Sequence, residues 1–168
     1  RILHAVSHKS NFKYSQGQNI LLAPFLLCMN EVDAFHSYHR LSVEMVPTYW
    51  MEQSSKNPEK SKSYLGVNAA CRIADKILRV VDPNLHKALM ANYKEKINPI
   101  SPTERWFHTQ FTFRHMQTLS LCTKPLEQVV LLLDVVFAMG IQYHVLIYVA
   151  QLMSLREKLM QKGTKLMD

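Results

Sequence analysis

Three observations predict an all-α fold for this chain. Only four of its 168 residues are glycine and nine are methionine, with leucine and alanine recurring throughout, a balance that favours helices over strands. Apolar residues from Val67 to Val81 fall at i, i+3, i+4 and i+7, the spacing of one helical face. Capping residues and breakers cut the rest of the chain into helix-sized pieces. Hydrophobic content of 48% with only 20% charge excludes a disordered tail, and the length suits one domain over residues 1–168 with no internal repeat.

In chain order, Gln18 to Cys28 reads as a helix carrying Pro24, which forfeits one backbone hydrogen bond and can kink it. Asn19 is placed to cap the first free N–H groups of that helix. Asn30 caps a second helix running to about Met45, with Asp33 in its first turn and Val32, Phe35, Tyr38 and Met45 toward the core; Pro47 ends it. Residues 53–63 hold nothing apolar to bury and predict an exposed loop. The periodic helix follows, with Val67, Ala70, Cys71, Ala74, Ile77, Leu78 and Val81 inward and Asp75 paired with Arg79 on its outer face. Asp82-Pro83 restarts the chain as a cap and a first-turn proline, for a short helix to about Tyr93.

After a turn around Pro99, Ser101 to Glu104 has capping-box spacing, although the aromatic and β-branched run Phe107 to Phe113 competes with a helix. Pro125 to Met139 is apolar almost all round, which predicts a central helix with a thin polar stripe of Glu127, Gln128 and Asp134. Gly140 ends it, and a last helix is expected from about Gln142 to Gln161, stopping near Gly163, with a tail over 162–168. The uncharged stretch from Val135 to Leu155 is near the length of a membrane span, but Gly140, Gln142, His144 and Gln151 divide it into two buried helices.

The net charge of +7 admits an anionic partner, yet the basic residues are dispersed. Lys56, Lys60 and Lys62 fall in the polar loop, and Arg156, Lys158, Lys162 and Lys165 line the C-terminal end, so solvated faces explain them better than a nucleic-acid site. Cys28, Cys71 and Cys122 lie far apart in apolar runs that suit buried thiols, which points to a reducing, cytoplasmic compartment. Arg1 opens the chain in place of a methionine, with nothing like a signal peptide nearby, and the sequence reads as a fragment.

Few constellations in the chain can carry chemistry. His4 with His8, and His36 with His39, have helical spacing but no Glu or third ligand beside them, so no metal site is expected. Neither a phosphate-cradling glycine loop nor a G-x-S-x-G elbow occurs, which argues against nucleotide binding or hydrolysis by this chain itself. Met90, Met116, Met139, Met153 and Met160 fit helix packing and are read as core filling.

The remaining motif is Tyr14-Ser15-Gln16-Gly17-Gln18-Asn19, running directly into Ile20-Leu21-Leu22-Ala23-Pro24-Phe25. It resembles the Tyr-x-Gln motif of the TBC domain, the GTPase-activating domain for Rab-type GTPases. Asp82-Pro83-Asn84-Leu85 is similar to the D-P-x-L turn of that family. Leu119 to Val129, continuing through Leu133 to Gly140, resembles the checkpoint GAPs that hold back mitotic exit or septation at the yeast spindle pole body. The matches keep the family's order from Tyr14 to about Leu159.

The resemblance implies that Gln16 is a glutamine finger, presented by a loop that Tyr14 and Gly17 shape. It implies a small Ras- or Rab-like GTPase as partner, a scaffold subunit completing a two-component GAP, and no cofactor of its own, since GTP and Mg²⁺ belong to the GTPase. Two departures accompany it. The family's I-x-x-D-x-x-R arginine motif does not occur ahead of Tyr14, so the arginine is expected before Arg1 and the chain is expected to be an impaired C-terminal part of the domain. The Leu-Trp-Asp of the late helix is here Leu132-Leu133-Asp134. A rival reading is a non-catalytic helical scaffold that docks a GTPase without stimulating it; a nucleic-acid-binding helical protein ranks third.

Overall fold

A computed structural model describes residues 1–10, 13–51, 65–94 and 112–161. Among these every regular element is helical: α1 (Ile2–Ser10), α2 (Gln18–Cys28), α3 (Glu31–Arg40), α4 (Leu65–Val81), α5 (Pro83–Lys94), α6 (Phe113–Thr118), α7 (Leu126–Met139), α8 (Tyr143–Ser154) and α9 (Arg156–Met160). The all-α expectation is borne out. The expected loop over 53–63, the turn at Pro99, the capping box at Ser101 and the tail from 162 lie outside the described residues.

Helix α4 is the hub, packed against α5, α6 and α8, while α1, α2 and α3 form a neighbouring group joined to it through α6. The predicted face is buried at Val67, Ala70, Cys71, Ala74 and Leu78, although Val81 is half exposed at the helix end. Asp75 pairs with Arg79 at 2.8 Å as expected, but it is buried rather than on an outer face. The reason is tertiary. After the turn at Asp82, α5 folds back over α4 and brings His86 Nε2 to 2.7 Å from the other oxygen of Asp75. Asp82 accepts the Leu85 N–H at 2.9 Å and the Arg156 Nε–H at 2.7 Å, so it caps α5 and ties it to α9. The Leu85 amide, and then Arg156, hold its carboxyl below the usual range against the opposing effect of burial. Arg156, still partly exposed, is therefore also an anchor.

Asn30 caps α3, accepting the N–H groups of Val32 at 3.0 Å and Asp33 at 3.1 Å. Asn30→Ala should cost about 1 kcal/mol, read as a fall of roughly 2–4 °C in Tm. The helix does not continue regularly to Met45. Residues Leu41–Met45 form a π turn closed by Val46 N–H to Leu41 O at 2.9 Å, and this one-residue slip rotates Met45 outward while Leu41 and Val46 enter the core. Tyr38 is buried and Phe35 packs on the core, but Val32 is 65% exposed.

The largest departure concerns α7. Only Val129, Leu133 and Val136 are buried, and Leu126, Leu131, Val135 and Met139 are exposed, so this helix lies at the edge of the described structure and not at its centre. Met139, Met153 and Met160 are likewise exposed rather than core-filling, whereas Met116 is fully buried. Gly140, in the left-handed half of backbone space at φ 107°, ends α7 as expected. The last helix breaks at Leu155 into α8 and α9, which lets Arg156 turn toward Asp82. No helix among the described residues is long and apolar enough to cross a membrane. Cys71 is buried, which pushes its thiol up to about 12, but Cys28 is exposed and Cys122 only half buried, contrary to the expectation for all three.

Candidate functional site

The chain between Tyr14 and Asn19 makes one tight turn into α2. Ser15 O accepts the Gln18 N–H at 3.3 Å, and Gly17 O accepts from Ile20 and Leu21 at 3.1 and 3.2 Å, which starts the helix. Gly17 stands at the N-cap with φ 101° and ψ −22°, a conformation that disfavours any side chain. Asn19 is not the cap. It sits within the first turn, and its Oδ1 accepts the Tyr14 hydroxyl at 3.4 Å, a long bond that draws Tyr14 over the turn. Ser15 and Gln18 on either side are buried, and Gln16 between them is exposed. Tyr14, Gln16 and Gly17 thus share one turn, in which Gln16 is exposed between the buried Ser15 and Gly17.

Behind this turn, α2 buries Leu21, Leu22 and Pro24, and Phe25 packs edge-on to Tyr38 and stacks on Phe137 at 6.1 Å, joining α2 to α3 and α7. Beneath Gly17 lies Gln117 of α6. A methyl group placed on Gly17 would come within 3.2 Å of its side chain. Nothing in the sequence marks Gln117, because one hundred residues separate it from Gly17 and no local pattern links them.

Helix α6 ends at Leu119 and Ser120, both at positive φ, and Ser120 Oγ lies 2.9 Å from His144 Nε2. This pair has the contact of a nucleophile and its base. Both residues are buried, however, and His144 Nδ1 has no hydrogen-bond partner among the described residues, so the pair is a packing contact without substrate access or an orienting acid. Burial, with a smaller contribution from the charge of His115, pushes His144 down to about 4. An unfolded imidazole takes a proton near 6.5, so between those values the unfolded state binds more protons and stability falls as pH falls. At pH 5 this group should cost about 2 kcal/mol, a fall of roughly 4–8 °C in Tm from pH 7.5. His144→Gln should flatten that dependence in thermal melts across the same range.

The histidine pairs do not form a metal centre: among the described residues no group of three or more His, Cys, Asp or Glu could hold an ion. Instead His36 and His39 lie against the Phe35 ring. Arg40, Arg79 and Arg156 are each engaged with a carboxylate, at 2.9, 2.8 and 2.7 Å. Arg72 and Arg114 are exposed, as is Lys13 beside the turn, and Arg105 lies outside the described residues.

Comparison with known proteins agrees with the motifs. A family model described as the Rab-GTPase-TBC domain matches residues 1–160. The chain is 34% identical over 152 residues to the mitotic check point protein BUB2 of Saccharomyces cerevisiae, covering 90% of the chain and 42% of that relative. It is 30% identical over 161 residues to cell division control protein 16 of Schizosaccharomyces pombe, covering 95% of the chain and 46% of that protein. A putative mitotic check point protein BUB2 of Dictyostelium discoideum is 27% identical over 161 residues, 95% of the chain and 38% of that protein. The chain therefore spans less than half the length of each of these relatives. No solved structure matches it significantly. With the Tyr14 to Gly17 turn, the Asp82-Pro83 cap and a match across nearly its whole length, the chain belongs to the Rab-GTPase-TBC domain family.

Proposed function

We propose that the protein containing this chain is a GTPase-activating protein for a small Ras- or Rab-like GTPase, acting in a checkpoint on mitotic exit or septation. The observation that supports this reading is the exposed Gln16 amide, held out of a turn whose neighbours Ser15 and Gln18 are buried. Hydrolysis of GTP needs a water held in line with the γ-phosphate and positive charge on the transferring group. An amide can accept from the water and donate to a phosphoryl oxygen without carrying charge of its own. Gln16 would do this in trans, so GTP and Mg²⁺ stay with the GTPase, and the chain is an activator rather than an enzyme.

The second requirement is an arginine. The I-x-x-D-x-x-R motif does not occur ahead of Tyr14, four described arginines, Arg1, Arg40, Arg79 and Arg156, are engaged with carboxylates, and the exposed Arg72 and Arg114 stand in no matching motif. The arginine is then supplied from outside residues 1–168, and the chain by itself is impaired. The names of the relatives support the cell-cycle setting. A cytoplasmic location at the spindle pole and a scaffold subunit completing a two-component activator belong to the same proposal.

The rival is a helical scaffold that docks a GTPase without stimulating it, and absence of the arginine motif from the intact protein would favour it. Single-turnover hydrolysis of GTP by candidate small GTPases, with the intact protein and with the 168-residue chain, separates the two. Strong stimulation by the intact protein and little by the chain supports the activator. Binding of the GTPase by the intact protein with no change in rate establishes the scaffold.

A further inference from the structure

We infer that Gln117 is a positioning residue for the Gln16 turn, acting through Gly17; this rests on the reading of Gln16 as a glutamine finger. The geometry is close. A Cβ on Gly17 would lie 3.2 Å from Gln117 Cδ, 3.3 Å from Cγ and 3.4 Å from Oε1, so the Gln117 side chain packs against the face of Gly17 that a Cβ would occupy. A Cβ there would make Gln117 give way by a few tenths of an ångström, and Gly17 already occupies a left-handed conformation that suits glycine.

Gly17 O is held by the N–H groups of Ile20 and Leu21 at 3.1 and 3.2 Å, but the residues ahead of Gly17 are held more weakly. Their hydrogen bonds, Gln18 N–H to Ser15 O at 3.3 Å and Tyr14 to Asn19 at 3.4 Å, are long. The Ser15 hydroxyl and both amide atoms of Gln18 are buried with no hydrogen-bond partner among the described residues. Packing therefore sets where Gln16 stands, and Gln117 supplies the packing surface.

Gln117 is itself fixed. It is 8% exposed, lies between the buried Met116 and Thr118, and belongs to a helix end closed by Thr118 Oγ1 to Arg114 O and Ser120 N–H to His115 O, both at 2.9 Å. Ser120 is tied in turn to His144 of α8. The exposed amide is thus referenced to the core of the fold through Gly17, Gln117 and α6. Because a misplacement of about 1 Å can cost up to a hundredfold in rate, this seat governs the rate step and not docking.

The test uses the intact protein with its GTPase. Gln117→Ala should lower kcat of stimulated hydrolysis about tenfold with KM within about twofold, and Gln117→Met, which keeps the side-chain length lying on Gly17, should recover kcat to within about threefold of wild type. Hydrogen exchange at residues 18–22 should quicken in Gln117→Ala with α4 unchanged. Unaltered exchange at the turn, a uniform rise that includes α4, or a Met variant as poor as Ala each overturns the inference. Should Gln16→Ala leave the rate unchanged, the finger reading fails by itself, and exchange at the turn still decides whether Gln117 seats it.

Discussion

Replacing Gln16 with alanine in the intact protein is expected to lower stimulated GTP hydrolysis by about 10²–10³-fold, the loss that follows removal of one preorganised group aimed at transition-state charge. Stability should not follow. Gln16 is exposed, so Tm should stay within about 2 °C of wild type, the range of an ordinary surface change. GTPase binding should survive, since a contact made chiefly in the transition state affects kcat more than KM. Gln16→Glu should be no better than alanine, because a carboxylate cannot donate at neutral pH and adds negative charge beside phosphates. Single-turnover rates, binding isotherms and melts on the same preparations would show the pattern. An undiminished rate in the alanine variant would remove Gln16 from the mechanism and leave the turn as a structural cap.

Leu78→Ala and Leu131→Ala should differ sharply in stability even though both replace a leucine on an apolar helix. Leu78 is 0% exposed on α4, and Leu131 is 66% exposed on α7. The first change removes buried surface and leaves a cavity in the core, for about 3 kcal/mol within a usual range of roughly 2–5, or about 6–12 °C in Tm. The second removes surface that already meets solvent and should cost less than about 0.5 kcal/mol. Denaturant unfolding of both variants compares them directly. Equal losses would mean that α7 is covered and central, as its composition alone suggests.

That contrast marks how much of the fold was legible in the chain. For α4 the inward positions follow from spacing, because an amphipathic face has a polar back that tells the two sides apart. In α7 the apolar residues run all round, so composition identifies what could be buried and not what covers it. Capping was legible at Asn30 and Asp82, where a short polar side chain reaches backbone two or three residues on. It failed at Asn19, because α2 starts at Gln18 with Gly17, at positive φ, in the N-cap position, which leaves Asn19 inside the helix. Met45 was misplaced for a related reason, since a π turn changes the register that an even helical count assumes.

The sequence by itself determined the all-α class, the amphipathic hub helix, the family and the turn that carries Tyr14, Gln16 and Gly17, because each is written in residues near one another along the chain. Only the tertiary structure decided that Asp75 is buried against His86, that Arg156 closes on Asp82, and that Gln117 lies beneath Gly17. These contacts join residues 11, 74 and 100 positions apart. No periodicity or motif encodes separations of that kind; they arise when helices fold back on α4 and their side chains must share one close-packed interior.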